Sequence, residues 1–178
     1  LIDRVLSKIA FSFNKIIFEN FSFPKYEYLK ICMRCKLIPS KYTNFFDFDV
    51  KENKISENNK RSRFRDLLSK IDNQDKFIQF LLRSLHIDMP KSYLENFNSI
   101  KEIILPMAKK KKTIFSMYSL YLNDNFKIYI AETKKVGSKY IHAEHGGGFN
   151  SPHPFFNYFE KVSDKIITWN CEDKKNIF

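Results

Sequence analysis

The chain has 178 residues, 43% of them hydrophobic, with 19 Phe and nine Tyr. That is enough apolar surface to bury a core within one domain, and it excludes an intrinsically disordered chain. The formal net charge of +11 suits an anionic ligand or an anionic membrane face, although an AT-biased, lysine-rich composition produces the same charge in any protein.

The chain starts at Leu1 rather than Met and ends at Phe178 after a fresh run of helix-like residues, so both ends are expected to be cut. Cys32, Cys35 and Cys171 are the three cysteines. Cys32-Met33-Arg34-Cys35 has the C-x-x-C spacing but no second pair to complete a zinc site, so free thiols in a reducing compartment are expected. No apolar run reaches the roughly 18 residues of a membrane span. A cytoplasmic placement follows as the expectation, with peripheral contact through the lysines at the inner membrane face.

Residues 1–50 are rich in Phe, Ile and Tyr. The stretch 1–18 reads as a helix with Val5, Ile9, Phe13 and Ile16/Ile17 along one side. A short helix is expected over 26–37, ended by Pro39. Residues 51–65 hold hardly any apolar side chain and read as a solvated loop or the start of an exposed helix. Arg61, Arg63 and Arg65 there meet phosphate or, more simply, solvent. From Arg65 to His86 the apolar residues recur at three- and four-residue steps: Leu67, Leu68 and Ile71, then Phe77, Ile78, Leu81, Leu82 and Leu85. Asp72 to Asp75 divides this stretch into two helices, with Asn73 or Asp72 as the cap. Pro90 suits the start of another short helix, whose Tyr93, Leu94 and Phe97 face one way.

Pro106 and the lysines 109–112 form a basic connector. Residues 113–118 are β-prone and short enough for a strand. Asn123 and Asp124 look like a helix cap with an acidic first turn. Phe126, Tyr129, Ile130, Thr133 and Val136 line one face of that helix, and Gly137 sits where a terminating glycine belongs. Residues 139–143 form the next strand, so 113–143 is a βαβ unit with parallel strands and a right-handed crossover. A helix over 155–162 and a strand over 165–169 follow. The fold class is therefore α/β, a Rossmann-like parallel sheet with helices. The division expected is a mostly helical region over 1–86 and a Rossmann-like part over 87–178.

The second strand runs into Glu144-His145-Gly146-Gly147-Gly148-Phe149. The chain has only four glycines, and three stand here in a row; three of its four histidines, His142, His145 and His153, lie around them. Consecutive glycines permit positive φ and close approach of a ligand to the main chain. Bare N–H groups in such a run can hold an anion or a developing oxyanion. At the carboxyl end of a parallel strand, where open α/β sheets bind ligands, this stretch reads as an active-site loop.

The stretch from about Ile87 to Trp169 resembles the transferases of bacterial surface-carbohydrate biosynthesis, distant relatives of GT-B glycosyltransferases and of CDP-glycerol glycerophosphotransferases. Three segments carry the resemblance. The first is Pro90, Tyr93, Leu94, Glu95 and Phe97. The second is Asn123, Asp124, Phe126 and Lys127, continuing to Ala131 and Gly137. The third is the loop His145, Gly146, Gly147 and Gly148, followed by Glu160, Asp164, Thr168 and Trp169. Glu144 stands where that family has Gln, Phe149 where it has Tyr, and Asn150 where it has the last Gly. The resemblance implies the N-terminal, acceptor-side part of a two-domain GT-B-like enzyme, with a nucleotide-binding C-terminal domain beyond Phe178 and no activity in the isolated piece.

Such an enzyme deprotonates an acceptor hydroxyl and lets a phosphate-linked group depart. The resemblance makes His145 the candidate base, since an imidazole near neutral pKa suits that task. Glu144 or Glu160 orients it, and Glu160 equally suits a surface position. The N–H groups of Gly146 to Gly148, with Asn150 beside them, hold a phosphate or position the acceptor. Asp164 caps or supports the final strand, His142 packs, and His153 has either a structural or a ligand role. A metal held by Glu144, His142 and His145 is rejected, because adjacent strand residues point to opposite faces. No cofactor is implied beyond a nucleotide-activated sugar or polyol donor as substrate. The expected acceptor is a carbohydrate or lipid-linked hydroxyl, and nucleic acid is not an expected partner. Two rivals remain. A His-Gly-Gly-Gly esterase would need a Gly-x-Ser-x-Gly elbow, which these residues lack. A nucleic-acid-binding module would need aromatics interleaved with its basic residues on one surface.

Overall fold

A computed structural model describes residues 2–39, 45, 46, 48, 54–110, 112–144, 158 and 161–168. The chain divides into two compact units, one of Leu1–Asp47 with Leu105–Phe178 and one of Phe48–Ile104. The first unit is built on a parallel sheet of four strands among the described residues: β1 (Ile16–Glu19), β2 (Thr113–Ser116), β3 (Lys139–Ala143) and β4 (Lys165–Ile167). Their spatial order is their chain order, and every neighbouring pair is parallel. The fold is α/β and Rossmann-like, as the βαβ pattern predicts.

The expected helix over 1–18 is shorter and its buried side is different. Helix α1 (Ile2–Phe13) ends before β1, which pairs with β2 from Ile16↔Thr113 to Glu19↔Ser116. Val5, Ile9 and Phe13 are exposed, whereas Ser7 and Ala10 are buried. Small residues let a helix approach its neighbours closely, so packing overrides the wider apolar stripe. The buried amine of Lys112 donates to the carbonyls of Phe11, Ser12 and Asn14 around the end of α1. One residue of the basic connector is thus a cap for helix carbonyls left without intrahelical partners. Lys112→Met should cost about 2 kcal/mol, the scale of hydrogen bonds to a charged group. Urea unfolding would measure it, and an unchanged midpoint would rule the cap out.

Alternate residues of the strands point to opposite faces, and both faces are covered, as parallel sheets require. On one face Phe18 and Phe115 meet Phe21, Phe23 and Tyr28, the last from α2 (Lys25–Arg34), with Phe18–Phe115 centroids 5.6 Å apart. On the other, Ile17, Ile114 and Tyr140 are in register and buried. Phe46, Phe126 and Tyr129 complete that core. Cys32 and Cys35, at the end of α2, are free thiols.

In the second unit, α3 (Lys54–Leu68) and α4 (Lys76–Asp88) form a helical hairpin. The cap of α4 is Asp75, which accepts from the N–H groups of Phe77 and Ile78. Asn73 instead accepts from the Asp75 N–H and shapes the preceding turn. After Pro90 the chain makes turns over 91–95 rather than a helix, and α5 (Phe97–Ala108) carries Pro106 inside it. The reason lies in Arg61. Its guanidinium bonds Glu95 and the carbonyls of His86, Ile87 and Met89, tying the end of α4 to the turn. The Lys60 amine adds a bond to the Glu95 carbonyl at 2.6 Å.

Between β2 and β3 lie the short helix α6 (Ser119–Leu122) and α7 (Asp124–Lys135). Asn123 caps α7 by accepting from the Phe126 N–H at 2.9 Å. The far end closes as a Schellman motif: Gly137 has φ 82°, its N–H reaches the Lys134 carbonyl, and the Ser138 N–H reaches that of Thr133. Lys36, with φ 53°, takes the same place after α2. Asp164 joins the last strands to α7. It accepts from the Tyr140 N–H at 2.7 Å and pairs with Lys134 at 2.9 Å.

Candidate active site

The strand register assembles a polar row at the carboxyl ends of β1, β2 and β3. Glu19 is the partner of Ser116, and Ser116 is the partner of His142. Their side chains share one face because residues level with each other in a parallel sheet point the same way. All three are almost wholly buried, at 1%, 0% and 3% exposure. The row beneath is Ile17, Ile114 and Tyr140, so apolar packing gives way to polar groups at the end where α/β sheets bind ligands.

Ser116 and His142 each meet a further polar group. The Ser119 N–H donates to the Ser116 hydroxyl at 3.1 Å, which closes the turn into α6. The Tyr140 hydroxyl lies 3.2 Å from the Nδ1 of His142, and the Tyr121 ring centroid lies 5.8 Å from the imidazole. Burial holds the Tyr140 phenol protonated far above its ordinary range. Burial also raises the Tyr121 phenol, and the Glu144 charge adds to that effect.

His142 is buried, as expected of a packed strand residue, but it is packed among polar partners. Burial pushes its pKa down to about 4, with the Glu144 carboxylate offsetting part of the effect. The ring is therefore neutral at physiological pH. Because the folded pKa is below the unfolded value of about 6.5, the unfolded chain takes up this proton first. Stability should fall by roughly 3 kcal/mol as pH drops from 6.5 to 4 on this group's account. Comparing urea unfolding of the natural chain and His142→Gln at pH 7 and pH 4.5 tests this. Equal losses in the two proteins would refute it.

Glu144 follows β3 and is 8% exposed. Its N–H donates to the Ile167 carbonyl at 2.8 Å, extending the β3–β4 ladder by one bond. Its carboxylate accepts the Thr168 hydroxyl at 2.5 Å. Two positions that the sequence singled out 24 residues apart are thereby joined across the sheet end. The other candidates, His145, Gly146, Gly147, Gly148, Asn150 and Glu160, lie outside the described residues. Among the described residues, Glu19, Ser116 and Tyr140 are the neighbours of this end that sequence reasoning passed over. A lone Glu closing the apolar run Ile16-Ile17-Phe18 is the one sequence signal that could have found them.

A parallel α/β sheet with polar groups gathered at its carboxyl edge defines the class: a Rossmann-like ligand-binding or catalytic protein. The model of the LIC12162 family transferase matches residues 1–178, and the chain belongs to that family of transferases. No curated protein and no solved structure matches it. Membership in a transferase family decides against the esterase reading. Among the described residues no helix is long and apolar enough to cross a membrane.

Proposed function

We propose that this transferase moves a glycosyl, phosphoglycosyl or polyol-phosphate group from a nucleotide-activated donor to a hydroxyl acceptor, in the assembly of surface carbohydrate. His145 takes the acceptor proton as the acceptor oxygen bonds to the anomeric carbon or phosphorus, and the departing electron pair stays on the nucleotide phosphate. Glu144 orients His145, with Glu160 as a further contact. The N–H groups of Gly146 to Gly148, with Asn150, bind the phosphate or the acceptor. The reaction uses no cofactor or metal in this reading. The acceptor is a carbohydrate or lipid-linked hydroxyl, and the enzyme works in the cytoplasm, in contact with the inner membrane face. A second, nucleotide-binding domain completes a GT-B-like site, so the 178 residues alone do not turn over.

The observation that carries the reading is the position of Glu144. In a member of a transferase family it stands at the carboxyl end of a parallel strand, hydrogen-bonded to Thr168, immediately before the histidine and three glycines. The test is an assay of the full protein against a panel of nucleotide-activated sugars and polyols, following nucleotide release with and without hydroxyl acceptors. Acceptor-dependent release is expected from one donor class. Release from none of them, with the protein folded, overturns the reading.

A further inference from the structure

The second unit holds a cleft of about 440 Å³ between the end of α3, the turn that follows it and one side of α4. That volume is in the range of small-molecule sites. Arg65 lines it from α3 and Arg83 from α4, over a floor that includes Leu68 and Leu82. Neither guanidinium is committed to holding the fold, in contrast to Arg61. Among the described residues the one acidic partner of Arg65 is its neighbour Asp66 at 3.6 Å, with both side chains more than half exposed, a pairing of little worth. Arg83 has no hydrogen-bond or ion-pair partner among the described residues.

The rest of the lining adds polar groups: the side chains of Ser69, Asn73 and Gln79. His86 lines the cleft too, and its buried Nδ1 has no hydrogen-bond partner among the described residues. Asp72 is the one carboxylate of the lining among the described residues, so the two guanidinium groups leave it positive. The amino end of α4 takes no part, since Asp75 already accepts from its N–H groups.

We propose that this cleft binds a phosphate-bearing ligand, with Arg65 and Arg83 as a two-sided clamp on the anion. Guanidinium groups match phosphate oxygens with paired N–H donors, which a scattered lysine surface cannot do. The apolar floor accommodates a carbon chain or ring attached to the phosphate. The proposal is independent of the transfer chemistry, and binding should persist in His145→Ala.

The test uses two probes on the full protein, inorganic pyrophosphate and short-chain phosphatidic acid below its micelle concentration. Binding is followed by calorimetry and by amide shifts in the NMR spectrum. Either probe should bind below millimolar concentration and shift the amides of Ser69, Asn73 and Gln79. Arg83→Gln and Arg65→Gln should each weaken binding at least tenfold, and Lys101→Gln should not. Equal affinity for the two probes assigns the site to the phosphate group alone. Tenfold tighter lipid binding assigns it to a phosphate with an apolar body. No binding of either probe, shifts confined to other amides, or affinity unchanged in both arginine variants overturns the proposal. Both arginines are exposed, and unchanged thermal melting of the variants separates lost binding from lost fold.

Discussion

His145→Ala in the full protein is expected to slow transfer by about 10²–10⁴-fold, the usual contribution of a positioned general base. The loss should fall on kcat, because in the proposed reaction the imidazole acts on a proton that moves only as the new bond forms. A base of this kind gives the pH–rate profile an acid limb, and under the proposed mechanism that limb should vanish in the variant. Thermal melting of the variant should be compared with that of the natural protein, so that lost chemistry is separated from lost fold. Glu144→Gln is the companion variant. Its amide oxygen still accepts from Thr168 but the charge is gone, so a smaller loss and a shifted acid limb are expected. A His145→Ala enzyme within about fivefold of the natural rate would remove the histidine from the chemistry.

Arg61→Ala is expected to lose about 3 kcal/mol of stability, the scale for breaking a largely buried ion pair from one side. The Glu95 side chain is 3% exposed and that of Arg61 28%. Without Arg61 a buried carboxylate loses its hydrogen-bonded cation and keeps only the charge of Lys91, and the carbonyls of His86, Ile87 and Met89 lose the Arg61 donor. Arg61→Lys should not rescue fully, because one ammonium cannot span four acceptors as the planar fork does. The pH dependence has a definite sign. Burial works to raise the Glu95 pKa, but the Arg61 hydrogen bond, the Glu95 backbone and the charges of Arg61 and Lys91 outweigh it and hold the carboxyl low. A carboxyl depressed in the folded state adds stability above its unfolded pKa of about 4.3, and that stability is lost as pH falls through the folded value. Urea unfolding of the natural chain should therefore weaken below about pH 4 on this account, and Glu95→Gln should weaken less. An Arg61→Ala midpoint equal to that of the natural chain would show that the clamp holds nothing.

Glu95 shows how a motif can be seen before its purpose is. The Pro90–Phe97 segment stood out in the sequence as a helix start, yet its carboxylate serves a turn fastened to α3. Nothing local marks that partner, which lies 34 residues earlier. The same holds for Lys112, one of four consecutive lysines, whose burial follows from α1 ending about a hundred residues away along the chain and beside it in space. Arg61 and Lys112 look like their solvated neighbours because charge alone does not say which side chain will find buried acceptors.

Local chemistry made the β2–α7–β3 unit readable from the residues alone. Asn123 caps because its side chain reaches an N–H three residues on, and Gly137 terminates because it tolerates positive φ. The alternating pattern of 139–143 and the glycines after it mark a strand delivering a loop. Those signals act over one or two turns of chain and need no partner. Strand β1 is different: four residues in a stretch rich in Phe and Ile become a strand only by pairing with β2, across nearly a hundred residues of chain. That pairing sets Glu19 level with Ser116 and His142, and it makes a buried polar row from residues with no sequence relationship. Long-range register created the neighbours of Glu144, because a hydrogen-bonded ladder aligns side chains that the order of the chain keeps apart.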